Sequence, residues 1–233
     1  DCWNGFVARP QFMEIYNTSD VRGAGKSEGT MAKNQYAWFL GALCTEKGDT
    51  IADNDGTPIV IVPEVESLDA ANRVDGARMY KYEIDKTGTY TYMENDFVLL
   101  RYADVILMKK EALLRGGQDD APGIENPSVD AIKKRSFSYE ADPIAAFDKA
   151  YPDAFTTLGT GLKDGILAER GRELTWENQR RRDLIRFGQF EKIQYVKNTA
   201  ETRRWFPIPY TVLQKAVVDP ETGKKMWTQN PGY

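Results

Sequence analysis

ILAERGRELTWENQRRRDLIRFG, residues 166–188, decides how this chain is read. Between Glu169 and Arg186, six arginines and four acids are interleaved with apolar residues. The stretch is expected to form one long helix, starting near Thr160 and stopping at Gly188, where a left-handed backbone suits a helix end. Leu162, Ile166, Leu167, Leu174, Ile185 and Phe187 make a thin apolar stripe, and Gly171 would let a neighbouring element approach the helix closely. Arg170 and Glu173, Glu177 and Arg181, and Asp183 and Arg186 are three or four apart, a spacing at which side chains pair along one helix. Charge is therefore compensated locally. That favours a salt-bridged face over an arginine stripe that binds nucleic acid.

The same carboxylates raise a catalytic alternative. Glycoside hydrolysis needs two carboxyl groups about 5 to 10 Å apart, and Glu169 and Glu173 can meet that spacing on a helix. Their arginine neighbours favour the ionised form, which opposes the raised pKa of a general acid. A structural role is the expectation. Elsewhere, Asp53-Asn54-Asp55-Gly56 has the look of a calcium loop, but the full pattern would put Ile51 and Val62 at ligand positions. It reads as a polar turn.

Working outward, LLRYADVILMKKEALL at residues 99–114 is apolar around most of its circumference, with candidate caps at Asn95 or Asp96 and an end at Gly116-Gly117. A central, buried helix is expected. Shorter helical stretches follow at 129–135 and 145–153. The region before residue 95 is rich in turns at 21–30 and 45–58, with strands or short buried segments at 36–43 and 59–65 and a helix opening at Pro10. Residues 79–93 alternate like a hairpin, which would place Tyr80, Tyr82, Tyr90 and Tyr92 on one face. Beyond the long helix come FPIP at 206–209, a DPETG loop at 219–223 and QNPGY at 229–233.

Composition narrows the chemistry. The 233 residues are 41% apolar and 28% charged, ordinary for a globular protein, and the net charge of −4 gives no pull toward nucleic acid. There is no histidine, which removes the commonest general base and most zinc sites. The two cysteines, Cys2 and Cys44, are too few for a thiolate cluster; two free buried thiols are expected, with a bridge as the alternative. No cofactor or metal is expected, and no stretch reaches the roughly twenty apolar residues that span a bilayer.

The aromatics remain, with five tryptophans, twelve tyrosines and ten phenylalanines. An aromatic face takes the C–H face of a sugar ring while neighbouring Asn, Arg or Asp reads its hydroxyls. Trp3 beside Asn4, Tyr36 near Trp38, and Tyr90 with Tyr92 have that character. They are the candidate ligand-binding residues.

Residues 101–108, RYADVILM, together with the 166–188 stretch and the closing FPIP and QNPGY, resemble the RagB/SusD family of nutrient-binding lipoproteins of the Bacteroidetes. The chain departs from the family pattern at Lys110, Ile132 and Val212. The resemblance implies a mainly α fold with loop-rich regions and short β-hairpins, in which tetratricopeptide-like helix pairs pack on an irregular subdomain. Residues 1–94 would be the loop-rich ligand side, and 95–233 the helical scaffold and tail. The resemblance covers the C-terminal half to two-thirds of a typical member, whose signal, lipid-anchored cysteine and first helices are expected upstream. It further implies a non-enzymatic protein at the cell surface, held to the outer membrane by its lipid, that binds an oligosaccharide or peptide and delivers it to a SusC-like TonB-dependent transporter in polysaccharide utilisation. The alternatives are a helical-repeat module that binds another protein, and a glycoside hydrolase.

Overall fold

The computed structural model describes residues 6–23, 38–45, 47–67, 69–82, 85, 93–118, 127–192 and 200–233. They are organised as two compact units, Asp1–Asp183 and Leu184–Tyr233. The fold is mainly helical, with short antiparallel strand pairs joined by long loops.

In the first unit, α1 (Pro10–Met13) opens with a proline, whose missing N–H costs a helix nothing at its first position. The strand expectation at 36–43 resolves into β1 (Trp38–Phe39) and β2 (Gly41–Ala42), and that at 59–65 into β3 (Val60–Ile61). β2 pairs with β3, whereas β1 pairs with β4 (Arg78–Met79), Trp38 opposite Met79. Trp38, Ala8 and Ala77 form a small core, with Phe12, Met13, Tyr16, Leu40 and Met79 packed around it. Most of the tyrosine hairpin expected at 79–93 lies outside the described residues. Tyr80 is described and its ring meets Phe39 at 4.5 Å.

The helical part is built from α2 (Tyr102–Leu114), α3 (Pro127–Ser136), α4 (Pro143–Ala150) and α5 (Gly165–Glu173). α2 packs on α3 and α5, and α3 packs on α4. Asp142 caps α4 by accepting from the Ala145 N–H, one of the donors a helix start leaves unpaired. Phe137, Phe147, Tyr151 and Phe155 interlock below it, Phe147 stacking on Phe155 at 5.6 Å and meeting Phe137 edge-on at 5.7 Å. Ile132, where the family pattern carries an asparagine, is buried in this region.

Three helix expectations need correction. α2 starts at Tyr102 and not near residue 96, because Arg101 is fully extended and its side chain is committed to α5. Nor is α2 buried all round: Asp104, Leu107 and Glu111 face inward, whereas Tyr102, Val105 and Met108 lie on an exposed face. The expected long helix is two helices, α5 and α6 (Arg180–Arg186). Trp176 and Asn178 between them adopt left-handed backbone, φ 64° and 59°, which ends the helical ladder. The Glu173 carbonyl, a would-be helix acceptor, instead takes Arg101 Nη2 at 2.6 Å and Lys81 Nζ at 3.0 Å. Gly188 does take the left-handed form, φ 65°.

In the second unit a 3₁₀ turn (Glu201–Arg204) and α7 (Tyr210–Gln214) flank FPIP. The two motifs at its ends bind one another. Ile208 N–H donates to the Gln229 side-chain carbonyl at 2.8 Å, and the Gln229 amide returns a bond to Ile208 O at 2.9 Å. Asn230 Nδ2 donates to Phe206 O at 2.8 Å, and Tyr233 Oη to Trp205 O at 3.0 Å.

Candidate functional site

Of the six candidate ligand-binding residues, Trp3, Asn4, Tyr36, Tyr90 and Tyr92 fall outside the described residues. Trp38 is described, and only 3% of its surface is exposed. Its ring meets Phe12 at 6.1 Å in the core, so it packs the loop-rich subregion and offers no open face to a sugar. Alternation along 36–43 could not separate the two roles, since a strand one or two residues long buries a large ring as readily as it displays it. Cys44 is free and buried, as expected of it; Cys2 lies outside the described residues.

The densest polar constellation is centred on α5, all nine residues of which are buried. The expected salt-bridged face is therefore an internal one. Glu173 binds Arg22 Nη1 at 2.9 Å and Arg101 Nη1 at 2.7 Å, and also pairs with Arg135. Glu169 binds the same Arg22 nitrogen at 2.7 Å and Arg172 Nε at 2.8 Å. Arg22 in turn closes on Asp20, which accepts the Tyr151 hydroxyl at 2.9 Å. Glu177 accepts from Arg101 Nε at 2.8 Å and pairs with Lys81.

Arg170 does not pair with Glu173, its neighbour on the helix. It spans Asp104 on α2 and Asp183 on α6, each at 2.8 Å. These are tertiary bridges between distant segments. For Arg170 and Glu173, local spacing pointed to the right residues but the wrong partners, because Asp104, Arg22, Arg101 and Arg135 lie far away in sequence.

Electrostatics argue against acid–base work here. Burial alone would raise the Glu173 pKa, but the guanidiniums of Arg22, Arg135 and Arg101 more than reverse this and hold it well below the usual carboxylate range. Burial likewise opposes the charge on Arg22, and Asp20, Glu169 and Glu173 overcome it. Glu169 is 0% exposed, so a substrate has no route to the pair. The cluster is a scaffold of ion pairs that ties α5 to the chain before α2, to α3 and to the loop after α1.

Asp53 forms the expected polar turn. Its Oδ1 accepts the Asp55 and Thr57 N–H groups at 3.0 and 2.9 Å, and Arg73 reaches its other oxygen. The Thr57 N–H bond is the main reason that its pKa lies below the ordinary value. Among the described residues, no group of three or more Cys, Asp or Glu side chains is placed to hold a metal. In the second unit, Thr211, Val212, Lys215, Ala216, Val217, Met226 and Trp227 line an apolar groove of about 410 Å³.

The buried arginine–glutamate helix and the RYAD segment that feeds it belong to the first unit, the interlocked FPIP and QNPGY tail to the second, and the sequence profile of the SusD family matches residues 2–233. The chain belongs to the SusD family. No curated protein matches it. SusD proteins are nutrient-binding lipoproteins associated with the outer membrane at the cell surface, and they are not typically enzymes. Among the described residues, no helix is long and apolar enough to cross a membrane.

Proposed function

We propose that this SusD-family protein captures an oligosaccharide at the cell surface and delivers it to a SusC-like TonB-dependent transporter. The match over residues 2–233 carries the reading. The burial of Glu169 and Glu173, and the lowered pKa of Glu173 beside its arginines, support binding without a covalent step and speak against the hydrolase alternative. The ligand surface on this reading is drawn from the loop-rich region before residue 95, with Trp3, Asn4, Tyr36, Tyr90 and Tyr92 as its candidate residues. Calorimetry of the full-length chain against oligosaccharides and peptides tests the proposal. Saturable binding without turnover is the expected result, and no binding of either class overturns it.

A second reading, a helical-repeat module that binds another protein, is favoured by one observation: Tyr102, Val105 and Met108 present an exposed apolar face on α2. Association with a transporter that is abolished by Val105→Asp, with no oligosaccharide bound by either form, would support it over the first.

A further inference from the structure

The break between α5 and α6 alternates like a strand. Thr175, Glu177 and Gln179 are buried, whereas Trp176 and Asn178 are exposed. Both exposed residues have left-handed backbone. Asparagine tolerates that conformation; a bulky tryptophan rarely takes it.

The surroundings hold the strain in place. Lys81 Nζ donates to the carbonyls of Glu173 and Thr175 at 3.0 and 3.2 Å and pairs with the Glu177 carboxylate, so both flanks of Trp176 are tied to one ammonium group. Arg101 grips Glu177 as well. Yet the indole is not used to fill the core. It is 48% exposed and, among the described residues, its ring contact is with the exposed Phe6, a T-shaped one at 5.9 Å and 78°. A strained residue that the fold over-determines, and whose side chain adds little packing, marks a functional position.

We infer that Trp176 and Asn178, residues not among the candidates of the loop-rich region, form a saccharide-binding platform. The indole supplies a flat face for the C–H side of a pyranose ring. Two residues along, the Asn178 carboxamide supplies both a donor and an acceptor for ring hydroxyls. The cations beside the platform, Lys81 and Arg101, are matched by Glu173 and Glu177, which suits a neutral sugar over an anionic one. The inference rests on the oligosaccharide reading above and adds a site to it.

The test uses the full-length chain carrying ¹⁵N-indole tryptophan, with the Trp176 resonance assigned by its loss in Trp176→Phe. Maltohexaose, cellohexaose, mannohexaose and xylohexaose are titrated in turn, with affinities measured by calorimetry. The expected result is that a hexasaccharide that binds shifts the Trp176 resonance, and that Trp176→Gly and Asn178→Ala weaken its affinity at least tenfold and threefold. Glycine suits the positive φ at 176, so that variant keeps its fold, which a thermal melt checks. Binding that leaves the Trp176 resonance in place and the Trp176→Gly affinity within twofold overturns the platform while the oligosaccharide reading stands. If none of the four sugars binds, the neutral-sugar platform falls, while the oligosaccharide reading is decided by the wider calorimetric screen given for it.

Discussion

Arg101 Nη1 donates to Glu173 Oε1 across 2.7 Å, joining the residue before α2 to the last residue of α5. Two segments distant in sequence, RYAD and the arginine–glutamate helix, therefore meet in one ion pair. Removing the acid leaves Arg22, Arg101 and Arg135 facing one another with their shared partner gone. Glu173→Gln is expected to lower unfolding free energy by about 3 kcal/mol, the scale for breaking a buried pair. Urea denaturation measures it, and a midpoint equal to wild type would show that the hub does not hold the fold.

The same carboxylate sets an acid limit. A carboxyl whose pKa is lower in the folded than in the unfolded chain contributes stability that is complete above the unfolded value, roughly 4.3 for glutamate, and is lost as pH falls toward the folded value. Glu173 is such a group. Wild-type stability is expected to fall steeply below about pH 4, with a shallower slope in Glu173→Gln. Equal slopes in the two proteins would assign the acid sensitivity to other carboxylates.

Arg170 couples three helices by bridging Asp104 and Asp183. Arg170→Met strands two buried carboxylates and is expected to cost about 3–5 kcal/mol. Adding Asp104→Leu and Asp183→Leu should recover much of that loss, since apolar residues can replace a buried ionic set. A triple variant as weak as the sum of its single changes would contradict this coupling.

Gly171 lies where Arg180 crosses α5. A β-carbon there would stand 2.9 Å from Arg180 Nη1 and 3.4 Å from Ile15 Cδ1, and Arg180 Nη1 is held in place by Leu167 O at 2.9 Å. Gly171→Ala is expected to destabilise by about 1–3 kcal/mol despite the better helix propensity of alanine. A more stable variant would mean that the guanidinium yields freely.

The contrast between Gly171 and Trp176 shows what the sequence carries. Gly171 was legible as a close-approach site because a glycine within a helical pattern has few other uses. The helix pattern of 166–188 also identified the left-handed turn at Gly188. The break at 174–179 was hidden, because neither Trp176 nor Asn178 is a conventional helix breaker and the cause is supplied by Lys81 and Arg101 from far along the chain. Burial of the charged face was hidden for the same reason: compensation by distant residues looks, in one dimension, like compensation along a helix. Trp38 was the hardest of the candidate site residues, since an aromatic's tendency to pack and its tendency to display a face leave the same trace in a short strand.

Ile208 sits between Pro207 and Pro209, so it carries the only backbone N–H of the three, and Gln229 takes both that donor and the Ile208 carbonyl. The glutamine side chain acts as a one-residue strand partner. Gln229→Ala is expected to lose about 1–2 kcal/mol in the second unit. It should also speed hydrogen exchange at Ile208, and unchanged protection there would show that the contact is not the latch.

Because the Gln229 amide reads backbone atoms and no part of the isoleucine side chain, the latch makes an uneven demand on spelling. The letter at 208 is free to drift among residues that fit its surroundings, whereas an amide at 229 of the same reach is required for the two ends of the tail to recognise each other. FPIP and QNPGY are thus a single word written in two places, held together by a grammar of main-chain donors and acceptors.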